Sequence, residues 1–151
     1  MARFVTAGEA AALIRDGDAV ALLGNGGGVL EPKAVHKAIE ESFLATGMPR
    51  QLTLYHSAGI GNRDDEGLNR FAHEDLTKRV VGGHWGWSPR MQQLANSGAI
   101  EAYNLPQGVI VSQYREIAAK RPGLITKTGL GTYVDPRLDG GKLNAVTTED
   151  L

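Results

Sequence analysis

Short apolar runs, each followed by a glycine-rich or proline-containing turn and then by a helical pattern, constrain this chain more than any other feature. The first run covers residues 19–23 and leads into Gly24-Asn25-Gly26-Gly27-Gly28, with Pro32 just beyond. Apolar runs of this length are typical of buried strands. Strands that alternate with helices favour a parallel sheet with helices on both faces. The sequence therefore predicts an α/β fold with an open, mainly parallel sheet flanked by helices.

Start and stop signals place the individual elements. Thr6-Ala-Gly-Glu9 is a capping-box pattern that predicts a helix to about residue 14. Pro32 and Gly47 bracket a predicted helix over residues 33–46. The predicted strands cover residues 19–23, 52–56, 79–81 and 100–104, with 124–127 as a candidate fifth. Further helices are predicted within 69–77 and over 90–97 and 109–120, and Gly or Pro starts or stops the last two.

Four turns leave the carboxyl ends of predicted strands, and they carry the chemistry of the chain. They cover residues 24–28, 57–64, 82–89 and 106–108. In open parallel sheets, ligands bind beyond the carboxyl ends of the strands. We therefore expect these turns to meet at one edge of the sheet and to form a binding site there.

Composition is that of a soluble enzyme domain. The chain has 151 residues, 42% hydrophobic and 22% charged, which is enough for one domain with a buried core. A formal net charge of -1 argues against a broad nucleic-acid surface. The absence of cysteine excludes a disulfide framework and a cysteine nucleophile. No apolar run is long enough for a membrane span, and residues 1–6 lack a secretory signal, so a cytoplasmic location is expected.

The first glycine turn does not fit a dinucleotide site. Gly24-x-Gly26 begins the fingerprint, but Val29 stands where Gly or Ala is needed, and the second strand ends at His56-Ser57 without an acidic residue. The phosphate-binding pattern Gly-x4-Gly-Lys-Ser/Thr is also missing. The glycines then serve either close strand-to-helix packing or direct contact with another ligand.

Gln107 is the leading candidate for catalysis. It lies in the corner Pro106-Gln107-Gly108, between a predicted strand and a predicted helix. Its carboxamide offers a neutral N–H donor that does not titrate. Acyl transfer needs such a donor where negative charge develops on a carbonyl oxygen. The plainer interpretation is an ordinary polar corner residue.

His84 and Trp85 are candidate binding residues because they lie in a glycine-flanked turn, Gly82-Gly-His-Trp-Gly-Trp-Ser-Pro89. Histidine there could act as a base or contact a ligand, or tie the turn by hydrogen bonds. Trp85 and Trp87 could wall an apolar pocket or cover a subunit contact. The remaining histidines, His36, His56 and His73, lack metal-ligand spacing, so no metal is expected. Arg63 could meet a phosphate, but the sequence does not single it out.

These turns, in their order and spacing, resemble the N-terminal half of a family I coenzyme A-transferase. The last matching turn is Thr128-Gly-Leu-Gly-Thr-Tyr-Val-Asp-Pro136, followed by Gly140-Gly141. The most similar branch moves CoA between short-chain acyl-CoAs and acetate, propionate or 3-keto acids. The resemblance runs from about residue 6 to 151, and Asn25 and Val29-Leu30 depart from the commonest form of the first turn.

The resemblance implies a three-layer domain, incomplete at its C-terminal end, and a covalent mechanism. In such enzymes a glutamate attacks the thioester, and acyl-glutamyl and glutamyl-CoA intermediates follow. Gln107 matches the glutamine that donates its amide to the oxyanion. Substrate contacts are expected from the remaining residues of these turns: Gly26, Gly27, Gly28, His84, Trp85 and Gly108. The thioester is a substrate, and no tightly bound cofactor is expected.

The family's nucleophilic glutamate, in a Glu-x-Gly context, has no match in residues 1–151. The resemblance therefore implies an N-terminal domain that needs a C-terminal half or a β-type subunit, in an enzyme that is a homo-oligomer. Alone, this part is expected not to turn over. Two alternatives stay open from the sequence: a non-catalytic CoA-binding or regulatory module of the same fold, and a sugar-phosphate isomerase or sugar-sensing domain.

Overall fold

The computed structural model describes residues 2–151, which form an α/β fold around a sheet of four parallel strands in the order β1-β2-β3-β4. The strands are β1 (Ala19–Ala21), β2 (Leu52–His56), β3 (Thr77–Gly82) and β4 (Glu101–Asn104). The helices are α1 (Ala7–Ala11), α2 (Lys33–Thr46), α3 (Pro89–Ser97) and α4 (Gln107–Ala118), with a 3₁₀ helix at Gly67–Phe71. The predicted fold class is confirmed.

The predicted caps are present and explain where the helices begin and end. Thr6 Oγ1 accepts the Glu9 N–H at 3.2 Å, and Glu9 Oε2 accepts the Thr6 N–H at 2.8 Å, which completes the capping box of α1. Helix α2 ends at Gly47, whose φ of 75° places it in the left-handed region. Helix α3 ends in the same way at Gly98, with a φ of 74°. Glycine adopts this conformation at no steric cost, so both helices stop as predicted.

The helix predicted within residues 69–77 is wrong, since a single 3₁₀ turn, Gly67–Phe71, occupies this region. Asn69 is buried, and its side chain donates to the Glu66 carbonyl oxygen at 3.0 Å. Such local side-chain bonds compete with α-helical hydrogen bonds. Asp75 then adopts a φ of 70°, which ends any helical continuation before β3.

The candidate fifth strand at residues 124–127 is also wrong, because these residues pair with no strand. The outer edge of β4 is already occupied by the later segment 141–147. There the Leu143 N–H donates to the Ala102 carbonyl oxygen at 2.9 Å, and Tyr103 forms an antiparallel bridge with Lys142. Thr147 Oγ1 accepts the Ala102 N–H at 2.8 Å. The predicted strand therefore has no free partner at this edge.

Helices cover both faces of the sheet, but one face carries more helices and the larger hydrophobic core. Leu54, Val80 and Ala102 face the larger core, which includes Ile39 of α2 and Met91 of α3. On the opposite face, Val81 and Tyr103 pack against Ile110 of α4. Right-handed connections between neighbouring parallel strands place all their crossovers on one face. Helix α4 follows the last strand and is thereby free to lie on the other face, directly behind the carboxyl edge.

A buried neutral histidine couples the stability of α2 to pH. The side chain of His36 is 2% exposed, its ring packs edge-on against Phe71 with centroids 5.3 Å apart, and its Nδ1 has no partner. Burial and, to a smaller extent, the nearby Arg70 guanidinium lower the pKa of His36 to about 4. Between pH 6.5 and 4, the unfolded chain therefore binds a proton that the folded chain does not.

We predict that acidification destabilises the protein in this pH range and that His36→Phe reduces the effect. The wild-type free energy of unfolding should fall as pH drops below about 6.5, and His36 alone accounts for a loss of roughly 3 kcal/mol once both states are protonated. Urea unfolding at pH 7.5, 6.0 and 5.0 measures this dependence. Parallel pH profiles for the wild type and His36→Phe would contradict the assignment.

Candidate functional site

The turns after β2, β3 and β4 touch one another at Gly83. A Cβ atom at this position would lie 3.2 Å from Gln107 Cα and closer still to the Ser57 carbonyl oxygen. The Gly83 N–H also donates to the His56 carbonyl oxygen at 2.9 Å. Only glycine permits backbone segments to approach this closely. The predicted convergence of the turns at one edge of the sheet is therefore present, and Gly83 holds it together.

Gln107 is the first residue of α4, and its side chain is exposed at this edge. Pro106 precedes it without a side-chain cap, and the N–H groups of Gln107 and Gly108 donate to no group within residues 2–151. The Gln107 carboxamide likewise has no hydrogen-bond partner in that part of the chain. The amino end of a helix carries a partial positive charge. The corner thus presents several free donors where negative charge is stabilised.

The glycine turn after β1 is a tight reversal fastened by Trp87. Asn25 and Val29 pair antiparallel, with the Asn25 N–H donating to the Val29 carbonyl oxygen at 2.8 Å. Gly27 and Gly28, at the tip, have φ values of 78° and 77°. A Cβ at Gly26 would lie 2.7 Å from Trp87 Nε1. The indole of Trp87 therefore packs directly on the glycine backbone and joins the turn after β3 to the turn after β1.

His84 and Trp85, predicted together as binding residues, both line one cavity beside Gly83 and Gly86, but they pack against different neighbours. His84 is exposed and packs on glycine backbone, with its Cε1 2.8 Å from the position of a Cβ at Gly86. The half-buried ring of Trp85 turns inward against His56, with centroids 5.9 Å apart and planes at 72°. The structure thus brings His84 to the glycine turns, while Trp85 packs into the larger core. Trp87 is the tryptophan that lines the turns.

His56 fixes the backbone at the end of β2. Its Nδ1 lies 2.9 Å from the Ala58 carbonyl oxygen, which can only accept, so the proton is on Nδ1. Burial lowers the pKa of His56 to about 4, and the nearby His84 also lowers it. The ring is therefore neutral near pH 7, and its bond to Ala58 shapes the turn that contacts Gly83.

A second set of polar residues, which no sequence pattern predicts, joins the turns after β1, β2 and β3. Asn69 Nδ2 donates to the Trp87 carbonyl oxygen at 3.2 Å, while Asn69 Oδ1 accepts the Arg90 N–H at 3.2 Å. Glu31 Oε1 accepts the Gly61 N–H at 2.7 Å. These partners lie 18 to 30 residues apart in the chain, and no local motif links them. They hold the three turns in fixed relative positions.

The last glycine-rich turn borders the Pro-Gln-Gly corner. A Cβ at Gly141 would lie 2.7 Å from the Asn104 carbonyl oxygen, and one at Gly129 would lie 3.9 Å from Pro106 Cγ. Asp135 shapes this turn because it accepts the Gly131 N–H at 2.7 Å and pairs with Arg137. The Arg137 hydrogen bonds hold the pKa of Asp135 well below its usual range. This last glycine-rich turn therefore packs beside the Pro-Gln-Gly corner, next to the end of β4.

Two further findings describe this chain more broadly. Within residues 2–151, no three histidine, aspartate or glutamate side chains group as a metal site requires. No helix among those residues has the length and apolar character needed to cross a bilayer.

Comparison with known proteins identifies the family. The sequence profile described as coenzyme A transferase matches residues 4–149. The chain belongs to the coenzyme A transferase family. It is 45% identical over 147 residues to the acetate CoA-transferase YdiF of Escherichia coli strain K12, and 48% identical over 151 residues to the caffeate CoA-transferase of Acetobacterium woodii. These alignments cover 97% and 100% of this chain, but 28% and 29% of the relatives.

A solved structure agrees with this family membership. The acyl-CoA transferase YdiF of Escherichia coli O157:H7, crystallised as a thioester complex with CoA, superimposes with a TM-score of 0.93 at 45% identity. The match covers 97% of this chain and 29% of that one. The chain thus spans less than a third of the length of these three relatives, and its sheet and turns have the architecture of the matching part of the YdiF structure.

The contact at Gly83 leads to a prediction that separates it from the neighbouring Gly108. Gly83→Ala should lower the free energy of unfolding by about 1–3 kcal/mol, because the new methyl group collides with backbone atoms of Ser57 and Gln107. Gly108→Ala is the matched control, since a Cβ there has nothing within 4 Å. Within helix α4, alanine should add about 0.5–1 kcal/mol. Urea unfolding of both variants tests this, and equal midpoints would contradict the close approach.

Proposed function

We propose that this chain is the N-terminal part of an enzyme that moves coenzyme A between a short-chain acyl-CoA and a carboxylic acid, with Gln107 as the oxyanion donor. One observation carries the assignment. Gln107 is exposed at the amino end of α4, its amide has no partner within residues 2–151, and it adjoins the turns after β2 and β3. A free amide donor at this position can stabilise the negative charge that develops on a carbonyl oxygen.

In the proposed reaction, a glutamate carboxylate from the downstream part of the enzyme attacks the thioester carbonyl. The C–S bond breaks, and an acyl-glutamyl anhydride and CoA thiolate form. The thiolate then attacks the glutamyl carbonyl and releases the acid, which leaves a glutamyl-CoA thioester. The acceptor acid reverses these steps and departs as the new thioester. Each step passes through a tetrahedral oxyanion, which Gln107 stabilises.

The interactions of the carboxylates at this edge support the proposal that the nucleophile comes from another part of the enzyme. Glu31 accepts the Gly61 N–H at 2.7 Å, and Glu66 pairs with Lys33 at 2.7 Å. Both therefore hold turns in place. The identity with relatives named as acetate and caffeate CoA-transferases favours transferase activity over a sugar-phosphate isomerase.

Further parts of the proposal concern ligands and partners. The CoA thioester acts as substrate, with no tightly bound cofactor, and Gly26, Gly27, Gly28, His84 and Gly108 lie in the turns that would surround it. Trp85 would contact the substrate from the cavity that it lines together with His84. A C-terminal half or β-type subunit supplies the nucleophile, and the complete enzyme works as a homo-oligomer in the cytoplasm.

We predict that Gln107→Ala slows exchange of labelled acetate into propionyl-CoA by roughly 100- to 1000-fold. The assay uses this chain together with the downstream region that its relatives carry. Gln93→Ala is the matched control, because Gln93 is an exposed glutamine on α3, and its rate should equal that of the wild type. Urea unfolding should be unchanged in both variants, since Gln107 is exposed and unbonded.

The outcomes separate the candidate functions. Exchange that requires both parts and Gln107 supports the proposal. Exchange by this chain alone would show that its nucleophile lies within residues 1–151. Binding of CoA without exchange in any mixture would favour the non-catalytic module instead.

A further inference from the structure

Arg63 is an uncompensated cation within an otherwise paired charge cluster. It begins the run Arg63-Asp64-Asp65-Glu66. Asp64 pairs with Arg90 at 3.2 Å, Asp65 approaches Arg70 at 3.7 Å, and Glu66 pairs with Lys33 at 2.7 Å. Each acidic residue of the run therefore has a cation outside it, whereas the Arg63 side chain has no carboxylate partner in the described part of the chain.

The structure holds Arg63 in a defined place. Its guanidinium carbon lies 4.5 Å from the centre of the Trp87 ring, and the backbone N–H of Arg63 donates to the Trp87 carbonyl oxygen at 3.0 Å. Stacking on an indole orients the guanidinium but leaves its N–H donors free. The φ of Arg63 is 69°, a left-handed conformation that is unfavourable for a long side chain. Such strain is concentrated at functional sites.

The surroundings of Arg63 are suited to an anion. Trp87 packs on Gly26 and carries the Arg63 guanidinium, so its indole connects Arg63 to the glycine turn after β1. The N–H groups of Gly27 and Gly28, at the tip of this turn, donate to no group among residues 2–151. The Lys33–Glu66 ion pair lies next to this tip, with Lys33 Nζ 3.0 Å and Glu66 Oε2 3.5 Å from the position of a Cβ at Gly28. Free backbone donors and a planar guanidinium together match the oxygens of a carboxylate or phosphate.

We propose that Arg63, presented on Trp87, binds an anionic oxygen group of the substrate. The assignment rests on the proposed function, which supplies two sources of this chemistry: the carboxylate of the acid and the phosphates of CoA. The sequence alone does not distinguish Arg63 from the other basic residues. In the structure, the Arg63 guanidinium has no carboxylate partner within residues 2–151, and it stacks on the Trp87 indole, which packs on the first glycine turn.

Equilibrium binding to the 151-residue chain tests the proposal without requiring turnover. Tryptophan fluorescence is titrated with CoA, with pantetheine, which lacks the phosphates, and with acetate. Arg63→Asn replaces the charged side chain by one that tolerates positive φ. Arg63→Lys keeps the positive charge but lacks the planar guanidinium and its paired N–H donors. Arg15→Asn is the matched control, because Arg15 is exposed and precedes β1. It therefore lies at the amino ends of the strands, away from the turns that follow them.

We predict that Arg63→Asn weakens binding of the anionic ligand by about 10-fold, that Arg63→Lys weakens it less, and that Arg15→Asn leaves it unchanged. A loss for CoA but not pantetheine identifies the phosphates as the bound group. A loss for acetate with unchanged CoA affinity identifies the carboxylate. Arg63→Gly, which removes the backbone strain, serves as a second variant if Arg63→Asn unfolds at lower urea concentration than the wild type.

Two results would overturn the proposal. One is equal affinity of the wild type and the Arg63 variants for every ligand, and the other is no binding of any ligand by the wild type. Neither result depends on the exchange assay. A chain that binds acetate or CoA through Arg63 but shows no Gln107-dependent exchange would contradict the proposed function and leave the anion site standing.

Discussion

Parallel pairing of all four strands determines where every candidate group of this domain lies. A parallel sheet delivers each turn that follows a strand to the same edge, and here the turns are close enough to touch. Gly83 contacts the backbone of the turn after β2 and the first residue of α4, while Gly26 admits the Trp87 indole. The glycines are therefore needed because backbone meets backbone, or backbone meets an aromatic ring, at an edge where several chain segments converge.

The same edge has a consistent electrostatic character. The amino end of α4 and the free amide of Gln107 lie on one side, and Arg63 with the glycine turn lies on the other. Glu31 and Glu66, the nearby carboxylates, are engaged with a backbone N–H and with Lys33. Glu31 Oε2 is a buried acceptor without a partner, but the free groups around Gln107 and Arg63 are donors, and a developing or permanent negative charge would find partners there. This character is compatible with the anionic thioester chemistry of the coenzyme A transferase family.

Local signals predicted much of the fold, and long-range contacts explain the remainder. Helix α2 was predicted to the residue because Pro32 and Gly47 set its ends, and β2 because an apolar run is bounded on both sides. The segment 124–127 was misassigned because its pattern does not reveal that residues 141–147 already occupy the edge of β4. At the site, the turns could be predicted. Which tryptophan lines them could not, because Trp85 and Trp87 lie in one irregular turn, without a periodicity to distinguish inside from outside.

The covering of β4 by residues 141–147 has a consequence for the other side of the sheet. Among residues 2–151, the edge left without a partner strand is that of β1, which is three residues long and presents Ala19 and Ala21 to solvent. Long, flat, apolar edges recruit strands from other molecules and lead to aggregation, whereas short edges are poor templates. The longer strand, β3, lies in the interior of the sheet. Strand length and position thus act together to protect this domain against unwanted edge-to-edge association.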